Sequence, residues 1–292
     1  MKVLETMEAS AAATRFYVGL VLYYSVVIQY LANEAECRAN DGEHNVFNCP
    51  QGCKCDEHSK TVNCFNAGFR AVPRGIDSNT LSLILDHNPI RKLTDRRFGN
   101  LHSLQNLSLK NCSIQQVYTN AFSSFQKSLL VLSMSDNPLN RDIHSFEFLS
   151  SLDSIQFVDL SSTRQPALVA QFLGSVTPAQ PTDELQQLLQ WLGGIQERPP
   201  MISVDLSRNG ISTLYRSIDS GTVRRKVYCK RLIVRANEVK QLSNHTFEEF
   251  PFIEEVDLSE NPLSDIQPLA FRSNSLKIIN LYKTNFGLNQ NN

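Results

Sequence analysis

Thr80, Leu83, Leu85, Asn88 and Ile90 set a spacing that returns at Leu104, Leu107, Leu109, Cys112 and Ile114, and again at Leu129, Leu132, Met134, Asn137 and Leu139. A weaker copy runs Ile155, Val158, Leu160 and Thr163. After an interval the pattern resumes at Met201, Val204, Leu206, Asn209 and Ile211, then at Cys229, Leu232, Val234, Asn237 and Val239. The last copies are Ile253, Val256, Leu258, Asn261 and Leu263, then Leu276, Ile279, Leu281, Thr284 and Phe286. Starts at residues 80, 104 and 129, and at 229, 253 and 276, lie 23 to 25 residues apart. No other feature constrains the fold as strongly, because a unit this small cannot bury its own apolar residues and must stack on copies of itself.

At this period the template L-x-x-L-x-L-x-x-N-x-[IL] is that of the leucine-rich repeat. It predicts an α/β fold, a horseshoe-shaped solenoid with a parallel sheet on its concave face. The L-x-L segment is a short strand whose leucines point inward. The ninth-position asparagine stands where the chain turns, and its amide is suited to pair with backbone groups of adjacent turns that would otherwise cost ~1–3 kcal/mol each. Cys112, Thr163 and Thr284 replace it in three copies with a smaller donor. Phe98, Phe122, Phe247 and Phe271 recur at matching offsets and are expected to stack behind the sheet. A coiled coil is excluded because the apolar spacing breaks after each copy at polar turns such as "DHNP", "SDNP" and "SENP".

Directly ahead of the first repeat, Cys49, Cys53, Cys55 and Cys64 fall within sixteen residues. Thiols this close serve crosslinks or a metal, and the redox compartment usually separates the two. Their spacing, C-x3-C-x-C-x8-C, lacks the paired knuckles of zinc sites. Upstream, Phe16 to Ala32 is an uncharged apolar run preceded by Lys2 and Arg15 and followed by acidic Glu34, the pattern of a secretory leader. It is shorter than the ~20 residues that span a bilayer. Residues 1–35 are therefore expected to be a signal peptide or an N-terminal anchor, and the cysteines to oxidise outside the cytosol, which opposes a cytosolic adaptor. Tyr30 and Asn33, not small residues, precede Ala32 and Ala35 at the position a leader peptidase reads, so the pattern does not set the cleavage point.

A solenoid's first strand exposes its leucines unless something covers it. In Cys49, Pro50, Cys53, Cys55, Val62, Cys64, Val72, Pro73 and Ile76, leading into Thr80 and Leu83, the chain resembles the N-terminal cysteine cap of extracellular leucine-rich-repeat proteins. That group includes Slit, the Nogo receptor and decorin-like proteoglycans. The resemblance spans residues 49–286 and implies the pairs Cys49–Cys55 and Cys53–Cys64. The expected organisation is a cap at 49–79, repeats at 80–286 with an insertion at 164–200, and a polar tail at 287–292. Such proteins often end in a second cysteine-rich cap. Here no cysteine follows Cys229, so the array is expected to be open at that end. Within the insertion, "TDELQQLLQWLGG" predicts a helix capped by Thr182 and ended by Gly193. Its apolar face, with Leu185, Leu188, Leu189, Trp191 and Leu192, would pack on the convex side or meet a partner.

No catalytic constellation is present. His44, His58, His87, His102, His144 and His245 are scattered, and neither a zinc-protease helix motif, a nucleophile elbow nor a phosphate-binding glycine loop occurs. The chain is expected to be no enzyme and to use no cofactor or metal. A net charge of -1 over 292 residues gives no basic excess for nucleic acid. Cys112 and Cys229 fall on inward positions and read as buried hydrophobes. Cys37 precedes the cap, where it would bridge two chains, remain free or meet an unrecognised partner. Sequons at Asn106, Asn111 and Asn244 are candidate glycosylation sites, the first two on the concave side and the third outside a strand.

Function has to be read from outward positions, since one fold serves many activities. The third and fifth template columns become stripes on the sheet, strands lying about 4.8 Å apart. From the fourth repeat onward these columns and the adjoining turns bring Phe157 and Ile233 among Asp159, Asp205, Arg208, Arg231, Arg235, Asp257 and Glu260. Apolar anchors among charges suit an interface centre. The expected function is a secreted or cell-surface module that binds an extracellular protein on its concave face. The alternative is a matrix component binding collagen-like or glycan polymers, which a long basic stripe would favour; basic residues gather only around Lys230, Arg231 and Arg235. A competing reading has Arg231 and Arg235 merely neutralise the acidic seventh repeat.

Overall fold

The computed structural model describes residues 2–4, 47–94, 97–139, 147–163, 201–212, 214, 228–248 and 250–285. Cys37, the apolar run at 16–32, the insertion at 164–200 and the tail at 287–292 lie outside the described residues.

Each template copy forms one strand of a single parallel sheet. In chain order these are Ser82–Ile84, Asn106–Ser108, Val131–Ser133, Phe157–Asp159, Met201–Asp205, Cys229–Ile233, Glu255–Asp257 and Ile278–Asn280. The register pairs equivalent template positions throughout, so Leu83 faces Leu107, Leu107 faces Leu132, and the series continues to Ile279. The inward column Leu83, Leu107, Leu132, Val158, Val204, Leu232, Val256 and Ile279 is nowhere more than 2% exposed. Each of these side chains contributes roughly 1.5–3 kcal/mol of burial that no isolated repeat would gain.

The asparagines close the turns as the template demands. Asn137 donates from Nδ2 to the carbonyls of Leu109 (2.7 Å) and Met134 (2.8 Å), and its Oδ1 accepts the amides of Cys112 and Ile114, both at 2.9 Å. Asn88, Asn209, Asn237 and Asn261 likewise donate to a carbonyl of the preceding turn and to one of their own. Just before the ninth position the backbone is left-handed in every described turn, at His87, Asn111, Asp136, Ser162, Arg208, Ala236, Glu260 and Lys283, with φ between 50° and 60°. This conformation aims each residue's amide at the next turn, as in His87 N–H to the Lys110 carbonyl at 2.9 Å and Ala236 N–H to the Ser259 carbonyl at 2.9 Å.

Behind the sheet the units are thin. The described convex side holds the paired segments Lys92–Leu93 with Gln116–Val117 and Gln241–Leu242 with Asp265–Ile266, and 3-10 turns at Ser123–Phe125 and Glu147–Ser151. The expected phenylalanine stack is present. Phe98 and Phe122 lie 5.7 Å apart, and Phe247 stacks on Phe271 at 5.6 Å. Phe125 and Phe148, which the offsets did not single out, join it against Phe98 and Phe122 respectively.

At the first edge, Lys54–Asp56 and Thr61–Asn63 form an antiparallel hairpin whose second strand runs parallel to Ser82–Ile84. The cap thus lays Val62 and Cys64, both fully buried, over the first leucines. Cys49 is bonded to Cys55 and Cys53 to Cys64. At the far edge, Lys2–Leu4 pairs in parallel with Ile278–Asn280, so the edge expected to be open carries one short strand.

Two substitutions test this framework through the thermal unfolding midpoint. Asn137→Ala orphans buried groups on its own turn and on the preceding one and is expected to cost about 3 kcal/mol. Ala236→Gly relieves a left-handed alanine and is expected to stabilise by about 0.5–1 kcal/mol. An unchanged midpoint for the first, or destabilisation by the second, contradicts the account.

Candidate functional site on the concave sheet

The register aligns the outward columns as rows. Phe157, Ser203, Arg231 and Glu255 are successive partners along one, and Asp159, Asp205, Ile233 and Asp257 along the other. The proposed surface residues of these strands are therefore brought together. Phe157 and Ile233, expected to be exposed, are half-buried, Phe157 between Val131 and Ser203 in its row and Ile233 between Asp205 and Asp257. Arg208 differs again. Three residues past its strand, it occupies a left-handed turn at the rim of the sheet, where it is exposed.

The arginines are engaged. Arg231 donates to Glu255 at 2.6 Å, and Arg235 to Glu260 at 2.8 Å, while Lys283 adds a second cation 3.7 Å from Glu260. Neutralisation of the seventh repeat by the sixth is what the geometry contains. The Arg235 guanidinium, by hydrogen bond and charge, holds the Glu260 carboxyl below the usual range. On the strand-entry rim, Glu254 is shared by Lys230 (3.6 Å) and Lys277 (2.7 Å).

The fifth-column acids have a different origin. Asp159, Asp205 and Asp257 each stand two residues before a serine, and each accepts that serine's backbone amide at 3.0, 2.9 and 2.9 Å. The D-L-S triplet that supplies them occurs in three repeats, at 159–161, 205–207 and 257–259. It carries a turn signal that the column reading passed over, an aspartate closing a local Asx-type turn. Asp159 also receives the hydroxyls of Ser161 (2.7 Å) and Ser133 (3.1 Å). Burial, more than any other influence, raises the Asp205 carboxyl above its ordinary value, and the charges of Asp159 and Asp257 push the same way against the Ser207 hydrogen bonds.

The N-terminal half of the face is smoother. Ser82, Ser108 and Ser133 are buried there, and Ser108 donates to Asp86 at 2.7 Å. Asn106 sits half-buried on its strand, and Asn111 stands exposed in the rim turn with its amide 3.1 Å from His87 Nδ1. Away from the sheet, Asn244 is exposed and accepts the Leu269 amide at 2.9 Å. Cys112 and Cys229 are buried free thiols, and burial pushes them to about 11 and about 12. Among the described residues no cluster of three or more histidine, cysteine, aspartate or glutamate side chains is placed to hold a metal ion.

A family model for the BspA-type leucine-rich repeat region matches residues 77–178 and 211–291 in six copies. The chain belongs to this leucine-rich repeat family. The matched ranges leave out the copy beginning at Met201, whose strand Met201–Asp205 nonetheless sits in register with both neighbours. Leucine-rich repeat-containing protein 3B of Homo sapiens is 32% identical over 106 residues, 36% of this chain and 40% of that protein. Leucine-rich repeat-containing protein 3 of Homo sapiens is 36% identical over 83 residues, 28% of this chain and 32% of that one. The match thus spans well under half the length of these relatives. Human 5T4 (Wnt-activated inhibitory factor 1, trophoblast glycoprotein) superposes with a TM-score of 0.63 at 20% identity, covering 82% of this chain and 83% of that chain, a likeness of fold.

Asp205 carries a testable pH signature. Because its folded value is raised, its ionisation costs stability; the cost is absent below the ordinary carboxylate range and grows as pH rises through the folded value. Asp205→Asn keeps the turn acceptor and is expected to raise the melting temperature at pH 7 but not at pH 3.5. An equal shift at both pH values contradicts the assignment.

Proposed function

We propose that this leucine-rich repeat chain is a secreted or cell-surface recognition module that holds an extracellular protein on the C-terminal half of its concave sheet. It would group with the capped extracellular proteins of the Slit, Nogo receptor and decorin-like type, with residues 1–35 as the leader or anchor. Two disulfides in the cap fit an oxidising compartment. The observation that carries the surface assignment is the pair of adjoining rows on one sheet, half-buried Phe157 with Arg231 in the first and Asp159, Asp205, half-buried Ile233 and Asp257 in the second. Apolar anchors at the centre exclude water, and the charged residues around them, with Arg208, Arg235 and Glu260 at the turns, select the partner. Removal of a leader would also remove Lys2–Leu4 and free the edge of Ile278–Asn280.

The test is a pulldown of extracellular proteins by the chain secreted from animal cells. Phe157→Ser with Ile233→Ser, and separately Asp205→Ala with Arg235→Ala, are expected to weaken capture at least about tenfold without reducing secretion. Full capture by both variants would move the site to the rim loops or the insertion.

Glycosylation follows from the same routing. At Asn244 the carbonyl oxygen is engaged and the amide nitrogen, the atom a glycan takes, points from an exposed turn. Glycan is expected at Asn244, while at Asn106 and Asn111 it would border the N-terminal part of the sheet. Enzymatic deglycosylation should convert residue 244 to aspartate in the secreted protein; an unconverted asparagine there refutes the assignment.

A further inference from the structure

We infer that the segment seated on this face is cationic, presenting arginine or lysine to Asp159 and Asp205 and an apolar side chain to Phe157. The inference rests on the concave-face reading and follows from how the charges of the sheet are compensated. Arg231 is taken by Glu255 and Arg235 by Glu260, each at hydrogen-bond distance. No ion pair among the described residues includes Asp159 or Asp205, whose contacts are the neutral donors of Ser133, Ser161 and Ser207. These carboxylates are direct neighbours in the strand register, Asp205 opposite Asp159. The strands Phe157–Asp159 and Met201–Asp205 therefore carry negative charge alone, fixed to the sheet by turn hydrogen bonds instead of riding on flexible stems, with exposed Arg208 as the cation at the adjoining rim.

A polyanion such as a sulfated glycan would meet this pair with repulsion. A cationic side chain would instead supply the counter-charge that the fold withholds, and adjacent Phe157 gives its stem an apolar surface. Asp205 is half-buried, and a pair partly shielded from water is screened less than one at the rim.

The probes are two fluorescent octapeptides, one alternating arginine with leucine and one alternating glutamate with leucine, titrated against the whole secreted chain. The arginine peptide is expected to bind more tightly. Asp159→Asn with Asp205→Asn, which keeps both turn acceptors and removes only charge, is expected to weaken it about tenfold, and Arg231→Gln, which releases Glu255, to strengthen it. Equal or tighter binding of the glutamate peptide, or unchanged arginine-peptide binding by the double asparagine variant, overturns the inference. The protein pulldown separates the two levels. Loss of capture with Phe157→Ser and Ile233→Ser but not with the asparagine pair refutes only the cationic partner, whereas capture indifferent to both refutes the concave site.

Discussion

The side-chain amide at the ninth position of each repeat is the contact on which the rest of the solenoid depends. A chain that turns back every two dozen residues must bury backbone groups at the bend, where no strand partner is available. Asn137 resolves this for two turns at once, accepting from Cys112 and Ile114 and donating to Leu109 and Met134. Hydrophobic burial supplies more free energy, but it is indifferent to a slip of one repeat against the next. The amide is not, because its donors and acceptor fit only one relation between neighbouring bends.

That fixed relation explains why the concave face is ordered in rows. With every bend locked, outward residues at equal template positions stand opposite one another from Ser82 to Ile278. Charge interactions on the face are then decided by arithmetic on the sequence. Arg231 meets Glu255 because both are third-column residues of consecutive repeats. Asp159 and Asp205 meet because both belong to D-L-S triplets that the turn itself favours. One rule of local turn chemistry thus repeats an amide-accepting side chain at Asp159, Asp205 and Asp257 in one column of the sheet.

Most of the fold was legible because the repeat is a local code. Strand positions, the inward leucines, the asparagine bridges and the phenylalanine stack follow from one unit, and each unit sees only its neighbours. The disulfide pairing was legible only through resemblance, since spacing does not distinguish the connectivities of four cysteines. Less could be read of the surface. Column positions put Phe157 and Ile233 on the outward face but did not give their partial burial, which depends on surroundings that a template position does not specify. The roles of Phe125 and Phe148 were hidden because they sit off the offsets shared by other copies. The turn function of the aspartates was present in the D-L-S triplets, and reading columns across repeats instead of triplets along the chain concealed it.

The separation between frame and face has a consequence for how such a surface changes. Leucines and asparagines at the inward positions bind each repeat to both neighbours, so their replacement is felt through the array. The third column carries no such duty: Ser82, Asn106, Val131, Phe157, Ser203, Arg231, Glu255 and Ile278 occupy equivalent places with unlike chemistry. The fifth column is intermediate. Asn63, Asp159, Asp205, Asp257 and Asn280 all accept the amide two residues on, so this column tolerates a change of charge between aspartate and asparagine without loss of the turn. Net charge on the face is therefore adjustable at almost no structural cost where Asp and Asn exchange, and three of these five positions carry the charged form, all between the fourth and seventh repeats. Turn formation does not demand that choice. Its concentration on one half of the sheet is the feature on which the proposed site rests.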